Sequence, residues 1–267
     1  MTNLDELLNW FDDKNKVLVS LSGGIDSALV AYAAKTKLER NAIAITADYK
    51  TLSTEELDSA KNIAKEIGIT HKIIEYNELE NENFVKNDDK RCFYCRDELS
   101  NKLIETAHSL EINTIVDGTQ NDDMADYRPG IDALHGNGIR SPLLETHFTK
   151  ELVRKTAKSI GLSIYDKPSN SCLASRIPWG QRVTAEKLAR IEIGEKIIKQ
   201  KTGIQQVRVR DINGTAKIEV EPEKIHLLND NLIKTQIFSK LQMIGFRNVV
   251  IDQEGYSSGK LNIVYRN

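Results

Sequence analysis

The chain has 267 residues, which is enough for two domains of common size. Hydrophobic residues make up 40% and charged residues 28%, and a net charge of −2 offers no global basic excess for binding nucleic acid. No apolar run is long enough to span a bilayer, and the acidic N-terminal segment lacks the apolar core of a signal peptide. We therefore expect a cytoplasmic protein without membrane contact.

The first part of the chain alternates between strand and helix patterns. After an amphipathic helix over 4–13, strands are predicted over 16–21, 41–46, 71–76 and 114–117. Further helices are predicted over 27–37, 53–68, 96–110 and 149–161, and loops over 119–147 and 165–183. The helix over 53–68 opens with the capping-box pattern of Ser53 and Glu56. This alternation predicts an α/β fold, a parallel sheet with helices on both faces.

The pattern changes near residue 180. A helix is predicted over 184–201, followed by strands over 206–210 and 216–220, a helix over 231–244 and a strand over 248–252. Residues 211–214 carry a hairpin signal between the first two of these strands. We therefore predict two domains, 1–180 and a smaller α+β domain over 181–267.

A loop of six residues lies between the first predicted strand and the helix that follows it. It reads Ser22, Gly23, Gly24, Ile25, Asp26 and Ser27. Its glycines let the backbone approach an anion, and the N–H groups of the helix N-terminus supply a positive field. Asp26 is suited to holding Mg²⁺ on bound phosphates, and no Walker lysine follows. The alternative is an ordinary serine–glycine turn.

This loop resembles the PP-loop of the ATP pyrophosphatases, whose fold is like that of the adenine nucleotide alpha hydrolases. The resemblance implies that ATP is cleaved between its α- and β-phosphates, that AMP is attached to a substrate oxygen, and that pyrophosphate is released. It also makes Asp48, just past the second strand, a candidate for contact with the nucleoside. An ordinary loop aspartate explains that position nearly as well.

Three cysteines are present, and an odd number in a reducing compartment favours metal or catalytic roles over disulfides. Cys92 and Cys95 form a CxxC motif in a polar segment that we expect to be a loop before a helix. Alone, the motif fits a zinc, redox or iron–sulfur site. With Cys172, three thiolates could hold three irons of a 4Fe-4S cluster and leave the fourth iron open to carry sulfide. Three unrelated buried cysteines are the alternative.

Longer motifs make the chain similar to the LarE family, the sulfur-inserting enzymes of nickel-pincer nucleotide synthesis. These motifs include DGTQNDDMADYRPG at 117–130, IRSPLLE at 139–145, DKPSNSCLASRIPWG at 166–180 and QVRVRDINGTAKIEV at 206–220. The resemblance implies the substrate pyridinium-3,5-dicarboxylic acid mononucleotide, whose carboxylates would be adenylated and then thiolated. It also implies ATP and Mg²⁺ as cofactors, sulfide or another sulfur donor, and a homo-oligomer.

The cysteines divide this family in two. In some members the cysteine that matches Cys172 gives up its own sulfur and becomes dehydroalanine, and those members lack the CxxC motif. Because this chain has Cys92 and Cys95, it is similar to the subgroup in which a 4Fe-4S cluster carries the sulfur. The predicted metal ligands are therefore Cys92, Cys95 and Cys172, and Cys172 is also a catalytic candidate together with Asp26 and Arg176.

Arginines provide candidate contacts to the anionic groups of the substrate. Arg176, Arg208 and Arg210 could bind a phosphate or carboxylate bidentately, and Arg208 and Arg210 share one face of a strand. A solvated strand face is the alternative for these two. Asp126 and Arg128 are further candidates for the substrate site, although they could equally form an ion pair that shapes a loop.

Three other functions compete with this reading. An ATP-dependent tRNA thiolase also combines a PP-loop with three cysteines, but the net charge and the lack of an RNA-binding domain argue against nucleic acid. A nucleotide-binding protein without catalysis would release no pyrophosphate. An ammonia-using synthetase would leave the cysteines without a purpose.

Overall fold

The computed structural model describes residues 3–125 and 129–257. The chain divides into two compact units, Met1–Glu78 with Lys90–Asn170, and Leu79–Asp89 with Ser171–Asn267. The short segment 79–89 belongs to the second unit because Asn87 Nδ2 donates to the carbonyl oxygens of Pro178 and Gln181, each at 2.8 Å. The domain limits predicted from the sequence, 1–180 and 181–267, differ from these units and stay a prediction.

Seven strands and eleven α-helices are found in the described residues. The strands are β1 (Val17–Ser20), β2 (Ala42–Asp48), β3 (Thr70–Glu75), β4 (Thr114–Val116), β5 (Val207–Ile212), β6 (Thr215–Val220) and β7 (Asn248–Ile251). The helices are α1 (Asn3–Asn9), α2 (Ile25–Leu38), α3 (Thr54–Ile67), α4 (Glu82–Val85), α5 (Arg91–Ser109), α6 (Pro129–Gly136), α7 (Pro142–Glu145), α8 (Lys150–Ser159), α9 (Ala185–Thr202), α10 (Ile225–Leu228) and α11 (Asn231–Met243). None of the described helices is both long and apolar enough to cross a membrane.

The first unit is built on a parallel sheet in the order β3-β2-β1-β4. Side chains of the central strand β1 alternate between two apolar clusters, as the pleat of a strand requires. Val17 and Val19 pack with α2, α3 and α8, whereas Leu18 packs with Leu99 and Leu103 of α5. Helices therefore cover both faces of the sheet, and the predicted α/β fold is confirmed.

Helix α3 begins and ends as the sequence predicts, with one difference. The Ser53 hydroxyl accepts a hydrogen bond from the Glu56 backbone N–H at 3.3 Å. The Glu56 side chain does not complete a capping box, because its carboxylate accepts hydrogen bonds from Lys167 Nζ and Asn170 Nδ2. A residue that the local pattern assigns to a helix end therefore serves a tertiary network.

Two predictions of loop structure are wrong. The CxxC motif lies within α5, which begins at Arg91 rather than after the motif. The segment 119–147 also contains α6, α7 and a 3₁₀ helix over Asn121–Ala125. The polar residues and prolines of this segment are typical of loops, so the sequence pattern did not predict these short helices. Pro142 takes the first position of α7, where its missing N–H costs nothing.

The second unit contains a three-stranded sheet in the order β5-β6-β7. Strands β5 and β6 pair antiparallel, from Val207 opposite Val220 to Ile212 opposite Thr215, which confirms the predicted hairpin. Strand β7 adds parallel to β6. Helix α9 packs on β5 and α11, with Leu188, Ile191 and Ile198 buried. The α+β character expected for this part of the chain is confirmed.

Candidate active site

The loop Ser22–Ser27 joins the carboxyl end of β1 to the N-terminus of α2. Gly23 has φ +81°, and a Cβ there would lie 2.3 Å from the backbone oxygen of Glu56, so only glycine fits. The Ser27 hydroxyl accepts from the Ser22 N–H at 3.1 Å and lies 3.0 Å from the Gly24 carbonyl, to which it donates. The Ser27 hydroxyl thus shapes the loop in this conformation, and its predicted role in binding ATP stays a prediction.

The first turn of α2 has the properties of an anion site. Gly24 precedes the helix, and it has no side chain to cap the first N–H groups of α2 in the described structure. Unbonded N–H groups at a helix N-terminus attract negative charge, because the peptide dipoles align toward that end. Ser22 is exposed, so an incoming phosphate can reach the loop.

Asp26 lies in that first turn, where a carboxylate needs a cation beside it if a phosphate is also to bind. Its Oδ2 lies 2.5 Å from Lys150 Nζ, and its Oδ1 is buried with no hydrogen-bond partner in the described part of the chain. Burial raises the pKa of the Asp26 carboxyl above its ordinary value, and the Lys150 ammonium offsets only part of that rise. An unsatisfied buried carboxylate oxygen is a suitable ligand for Mg²⁺, which proteins bind through one or two carboxylates together with substrate phosphates.

Lys150 is a residue that the sequence interpretation missed. It is the first residue of α8, and its backbone N–H donates to Asp122 Oδ2 at 2.8 Å. Acidic side chains are favoured in the first turn of a helix, so a lysine there goes against the helix dipole. A lysine in the first turn of a helix is stabilised when an anion lies beside it. The unfavourable position of Lys150 was therefore a signal, present in the sequence, that an anionic group is close to it.

The end of β4 closes one side of the phosphate loop. A Cβ on Gly118 would lie 2.5 Å from the Ser27 backbone nitrogen, so this backbone packs directly against the start of α2. Asp117 is buried and accepts from the hydroxyls of Thr119 and Ser141, at 2.6 and 2.7 Å. These bonds hold the segment after β4 in one conformation beside the phosphate loop.

Asp48 is the last residue of β2 and is half-buried. Its backbone oxygen lies 3.4 Å from the Tyr76 N–H that donates to it, which keeps the ends of β2 and β3 together. The sheet order places β2 directly beside β1, the strand that leads into the phosphate loop. A role for Asp48 in nucleoside binding stays a prediction.

None of the three cysteines is in a disulfide bond. Cys92 and Cys95 are three residues apart on α5 and so lie on one side of that helix. The Arg91 guanidinium donates to Cys92 Sγ at 3.7 Å. Cys172 belongs to the second compact unit, immediately before the 3₁₀ helix Leu173–Arg176. Within residues 3–125 and 129–257, no three or more His, Cys, Asp or Glu side chains are grouped so as to hold a metal ion.

Arg176 holds the backbone around Cys172. The Arg176 side chain is fully buried, and it binds Glu195 bidentately, with Nε to Oε1 at 2.9 Å and Nη2 to Oε2 at 3.1 Å. Its Nη1 donates to the carbonyl oxygen of Cys172 at 3.0 Å and also to that of Ser171. Burial alone would raise the pKa of Glu195, but the Arg176 guanidinium holds it below its ordinary value. The predicted catalytic role of Arg176 stays a prediction, and the contacts seen are those of a positioning residue.

Arg208 and Arg210 of β5 are both buried, so the alternative of a solvated strand face is wrong. Arg210 donates to Glu219 Oε2 through Nε and Nη2, at 2.9 and 2.7 Å, and to the Ser175 carbonyl through Nη1 at 2.9 Å. The Arg208 guanidinium lies 5.2 Å from the centre of the Tyr256 ring. Burial and the nearby Arg176 charge lower the pKa of Arg208 to about 10.

Arg176 pairs with the carboxylate of Glu195, and Arg210 pairs with that of Glu219. A guanidinium can bind a phosphate in the same bidentate way as a carboxylate, which is the basis of the predicted contact of these arginines with a substrate phosphate. That contact stays a prediction, as do the substrate roles of Asp126 and Arg128, which lie outside the described residues.

Comparison with known proteins assigns the family. The family model described as NAD synthase matches residues 4–176. An uncharacterized protein of Synechocystis sp. is 41% identical over 98% of this chain and 98% of its own. The pyridinium-3,5-bisthiocarboxylic acid mononucleotide synthase of Lactiplantibacillus plantarum is 32% identical over 94% of this chain and 90% of that protein. An uncharacterized protein of Methanocaldococcus jannaschii is 29% identical over 91% of each chain. The phosphate loop at the end of a central parallel strand agrees with these matches, and the chain belongs to the LarE family of ATP-dependent sulfurtransferases, within the PP-loop ATP pyrophosphatases.

Proposed function

We propose that this enzyme adenylates the carboxylates of pyridinium-3,5-dicarboxylic acid mononucleotide and replaces each activated oxygen with sulfur. The observation that carries the proposal is the full-length similarity to a synthase whose name gives the bisthiocarboxylic acid mononucleotide as product. The phosphate loop supports the proposed binding of ATP, and Arg176, Arg208 and Arg210 are the residues proposed to bind the anionic groups of the mononucleotide.

The first step is transfer of AMP to the substrate. A carboxylate oxygen attacks the α-phosphorus of ATP, the bond from that phosphorus to the bridging oxygen breaks, and pyrophosphate leaves with the electron pair. In this proposal the N–H groups at the start of α2 and the Lys150 ammonium, which lies beside Asp26, stabilise the phosphate charge. Asp26 would hold Mg²⁺, which supplies further neutralisation of the phosphates when bound.

The second step exchanges oxygen for sulfur. Hydrosulfide sulfur forms a bond to the acyl carbon, AMP leaves with the electron pair of its carbon–oxygen bond, and the sulfur loses its proton to water. Adenylation is needed because a carboxylate oxygen is a poor leaving group, whereas AMP is a good one. Sulfide, or another donor of sulfur at that oxidation level, is the second substrate that this chemistry requires.

We propose that Cys92, Cys95 and Cys172 are the protein ligands of a 4Fe-4S cluster, which would carry the sulfur when bound. Three thiols are a suitable donor set, since none of them is in a disulfide bond and two of them share one side of α5. Cys172 lies in the other compact unit, so the proposal requires all three thiolates to reach one cluster. The alternative is that Cys172 gives up its own sulfur.

Two further expectations belong to the proposal. The resemblance to the family implies a homo-oligomer, and the apolar edge strand β7 (Asn248–Ile251), with Val250 exposed, offers a surface for self-association. The cytoplasmic location expected from the sequence also stays a prediction. Light scattering at micromolar protein tests the first of these, and a mass near that of one 30.1 kDa chain contradicts it.

An anaerobic assay tests the proposed reaction. The enzyme is incubated with MgATP, sulfide and the dicarboxylate mononucleotide, and AMP, pyrophosphate and thiolated product are followed together. We expect AMP and pyrophosphate in equal amounts, accompanied by thiocarboxylate. Asp26→Asn should release no pyrophosphate, whereas Asp58→Asn on the exposed face of α3 should behave like the wild type. ADP as product contradicts the PP-loop chemistry, and thiolation of bulk tRNA in place of the mononucleotide contradicts the substrate.

A further inference from the structure

The contact between Lys150 and Asp26 joins the N-termini of two helices, α8 and α2. Both side chains keep access to solvent, with 27% of Lys150 and 25% of Asp26 exposed. An ion pair with this exposure is weak enough to exchange its partners, because water can solvate either charge when they separate. The pair therefore differs from the enclosed Arg176–Glu195 pair, which is built to stay closed.

The backbone of Lys150 is fixed independently of its side chain. The Thr149 hydroxyl accepts from the Leu152 N–H at 3.3 Å and caps α8, and the Lys150 N–H is held by Asp122 Oδ2. Phe148, which is fully buried, accepts from the Asn121 N–H through its carbonyl at 2.8 Å. The Lys150 ammonium can therefore move on its flexible stem while its Cα stays beside the phosphate loop.

The charges around Asp26 favour a second cation. The pair with Lys150 uses only Oδ2, and the buried Oδ1 is left without a hydrogen bond in the described residues. The negative charge of Asp123 also acts on Asp26. Mg²⁺ would satisfy Oδ1, but it would then repel an ammonium 2.5 Å from the other oxygen of the same carboxylate. The triphosphate that arrives with Mg²⁺ offers that ammonium several new anionic oxygens.

We infer that Lys150 competes with Mg²⁺ for Asp26 and, once displaced, binds a phosphate oxygen of ATP. Lys150 is then both the counter-ion of Asp26 and a catalytic residue of the adenylation step, because it contacts the phosphates during cleavage. The inference rests on the proposed use of ATP but not on the sulfur acceptor. Failure of the thiolation reaction would therefore not contradict the inference about Lys150.

Metal and nucleotide binding test the inference without any turnover. Mn²⁺, a paramagnetic substitute for Mg²⁺, is titrated against wild type, Lys150→Met and Lys155→Met, and free Mn²⁺ is read by electron paramagnetic resonance. Lys155 is the matched control because it is exposed on the same helix. We expect Lys150→Met to bind Mn²⁺ alone roughly fivefold more tightly than the wild type, because its competitor is gone. Lys155→Met should bind it like the wild type.

ATP binding should change in the opposite direction. Calorimetry should show that Lys150→Met binds the Mg²⁺ complex of a non-hydrolysable ATP analogue roughly tenfold more weakly, and that Lys150→Arg recovers part of the loss. Pyrophosphate release should fall about 100-fold in Lys150→Met. A lysine that only stabilises the fold would lower the affinity for Mn²⁺ and for ATP together, and that result overturns the inference. Unchanged Mn²⁺ affinity in Lys150→Met overturns it as well.

Discussion

The Lys167 ammonium donates a hydrogen bond to the backbone carbonyl of Gly23, with 2.9 Å between Nζ and the oxygen. The same Nζ lies 2.9 Å from Glu56 Oε2 and 2.8 Å from the Ser59 hydroxyl, which itself donates to the Gly23 carbonyl. Gly23 is the residue of the phosphate loop whose positive φ shapes the turn. A side chain 144 positions along the chain therefore supports the loop at its most constrained point.

Lys167→Met should weaken both the fold and ATP binding. The change removes the bond to Gly23 and leaves the carboxylate of Glu56, which is 10% exposed, without its ion-pair partner. We expect a loss of about 2 kcal/mol in the free energy of unfolding, measured by urea titration, since the pair is not fully buried. ATP affinity should fall with it, because the phosphate loop loses a support.

A matched control and a double variant make this prediction specific. Lys65→Met, on the exposed side of α3, should change stability by less than about 0.5 kcal/mol. Adding Glu56→Gln to Lys167→Met should restore part of the stability but not the ATP affinity, because the unpaired charge disappears while the bond to Gly23 stays lost. Full ATP affinity in Lys167→Met would show that this network does not shape the loop.

Local patterns predicted much of this fold because local chemistry decides it. The β-branched run before Ser22 and the alanines after Ser27 allow only a buried strand and a packed helix. The turn after Asp211 is settled by Asn213 and Gly214, so the hairpin of β5 and β6 followed from the sequence. In each case the residues that decide the structure lie within a few positions of one another.

The rest depends on residues that meet only in the folded chain. Lys150 and Asp26 lie 124 positions apart, and the residues around either one do not indicate that the other is its partner. The polar turn at Cys92 shows no apolar period of its own and becomes helical as the start of α5, whose later residues Leu99 and Leu103 are buried. The arginines were predicted to bind anionic groups of the substrate, which stays a prediction, and the partners Glu195 and Glu219 could not be assigned from spacing.

The stability of the first unit should depend on the protonation of His71. Thr46 donates its hydroxyl hydrogen to the Leu21 carbonyl, at 2.7 Å, so His71 Nε2 must be the donor in its 2.8 Å contact with Thr46. Burial, assisted by the charge of Lys61, lowers the pKa of His71 below its ordinary 6.5. The unfolded chain therefore binds the proton more readily, and stability is lost as the pH falls through 6.5 toward the folded value.

Urea titrations at about pH 7.5 and about pH 5.5 check this dependence. The wild type should lose more stability on acidification than His71→Gln, which keeps a donor at that position but cannot take up a proton. His108→Gln, at an exposed position of α5, should follow the wild type. Equal losses in the wild type and His71→Gln would show that this ring does not contribute.

Glu195→Gln should loosen the backbone that carries Cys172. The change leaves the guanidinium of Arg176 fully buried without its bidentate partner, and it weakens the bond from the Val209 N–H to Glu195 Oε1. We expect a loss of about 3 kcal/mol in the free energy of unfolding. The double variant Arg176→Met with Glu195→Leu should recover part of that loss, because the buried Arg176 charge is removed together with its partner.

Thiol labelling separates positioning from stability. Because Arg176 Nη1 holds the carbonyl of Cys172, labelling of this thiol under native conditions should speed up in Glu195→Gln. Lys196→Gln, at an exposed position of α9, should change neither stability nor labelling. An unchanged labelling rate in Glu195→Gln would mean that Arg176 does not position Cys172.

Alanine substitutions of the three cysteines should abolish thiolation without abolishing adenylation. Anaerobically prepared wild type should be brown and hold about four irons per chain, as a 4Fe-4S cluster requires. Cys92→Ala, Cys95→Ala and Cys172→Ala should each lose the iron and the thiolated product, because three thiolate ligands leave none to spare. Pyrophosphate release should survive in all three, since none of the three thiols is part of the phosphate loop or of its contacts with Lys150 and Lys167.

Mass spectrometry after turnover decides which thiol gives the sulfur. We expect Cys172 to be intact after several turnovers, because the sulfur that enters the product comes from added sulfide. Isotopically labelled sulfide should therefore appear in the product from the first turnover. Dehydroalanine at position 172 after a single turnover, with full activity in Cys92→Ala and Cys95→Ala, would show that the enzyme consumes its own cysteine. One zinc per chain with no iron would exclude the cluster and leave the CxxC motif as a structural metal site.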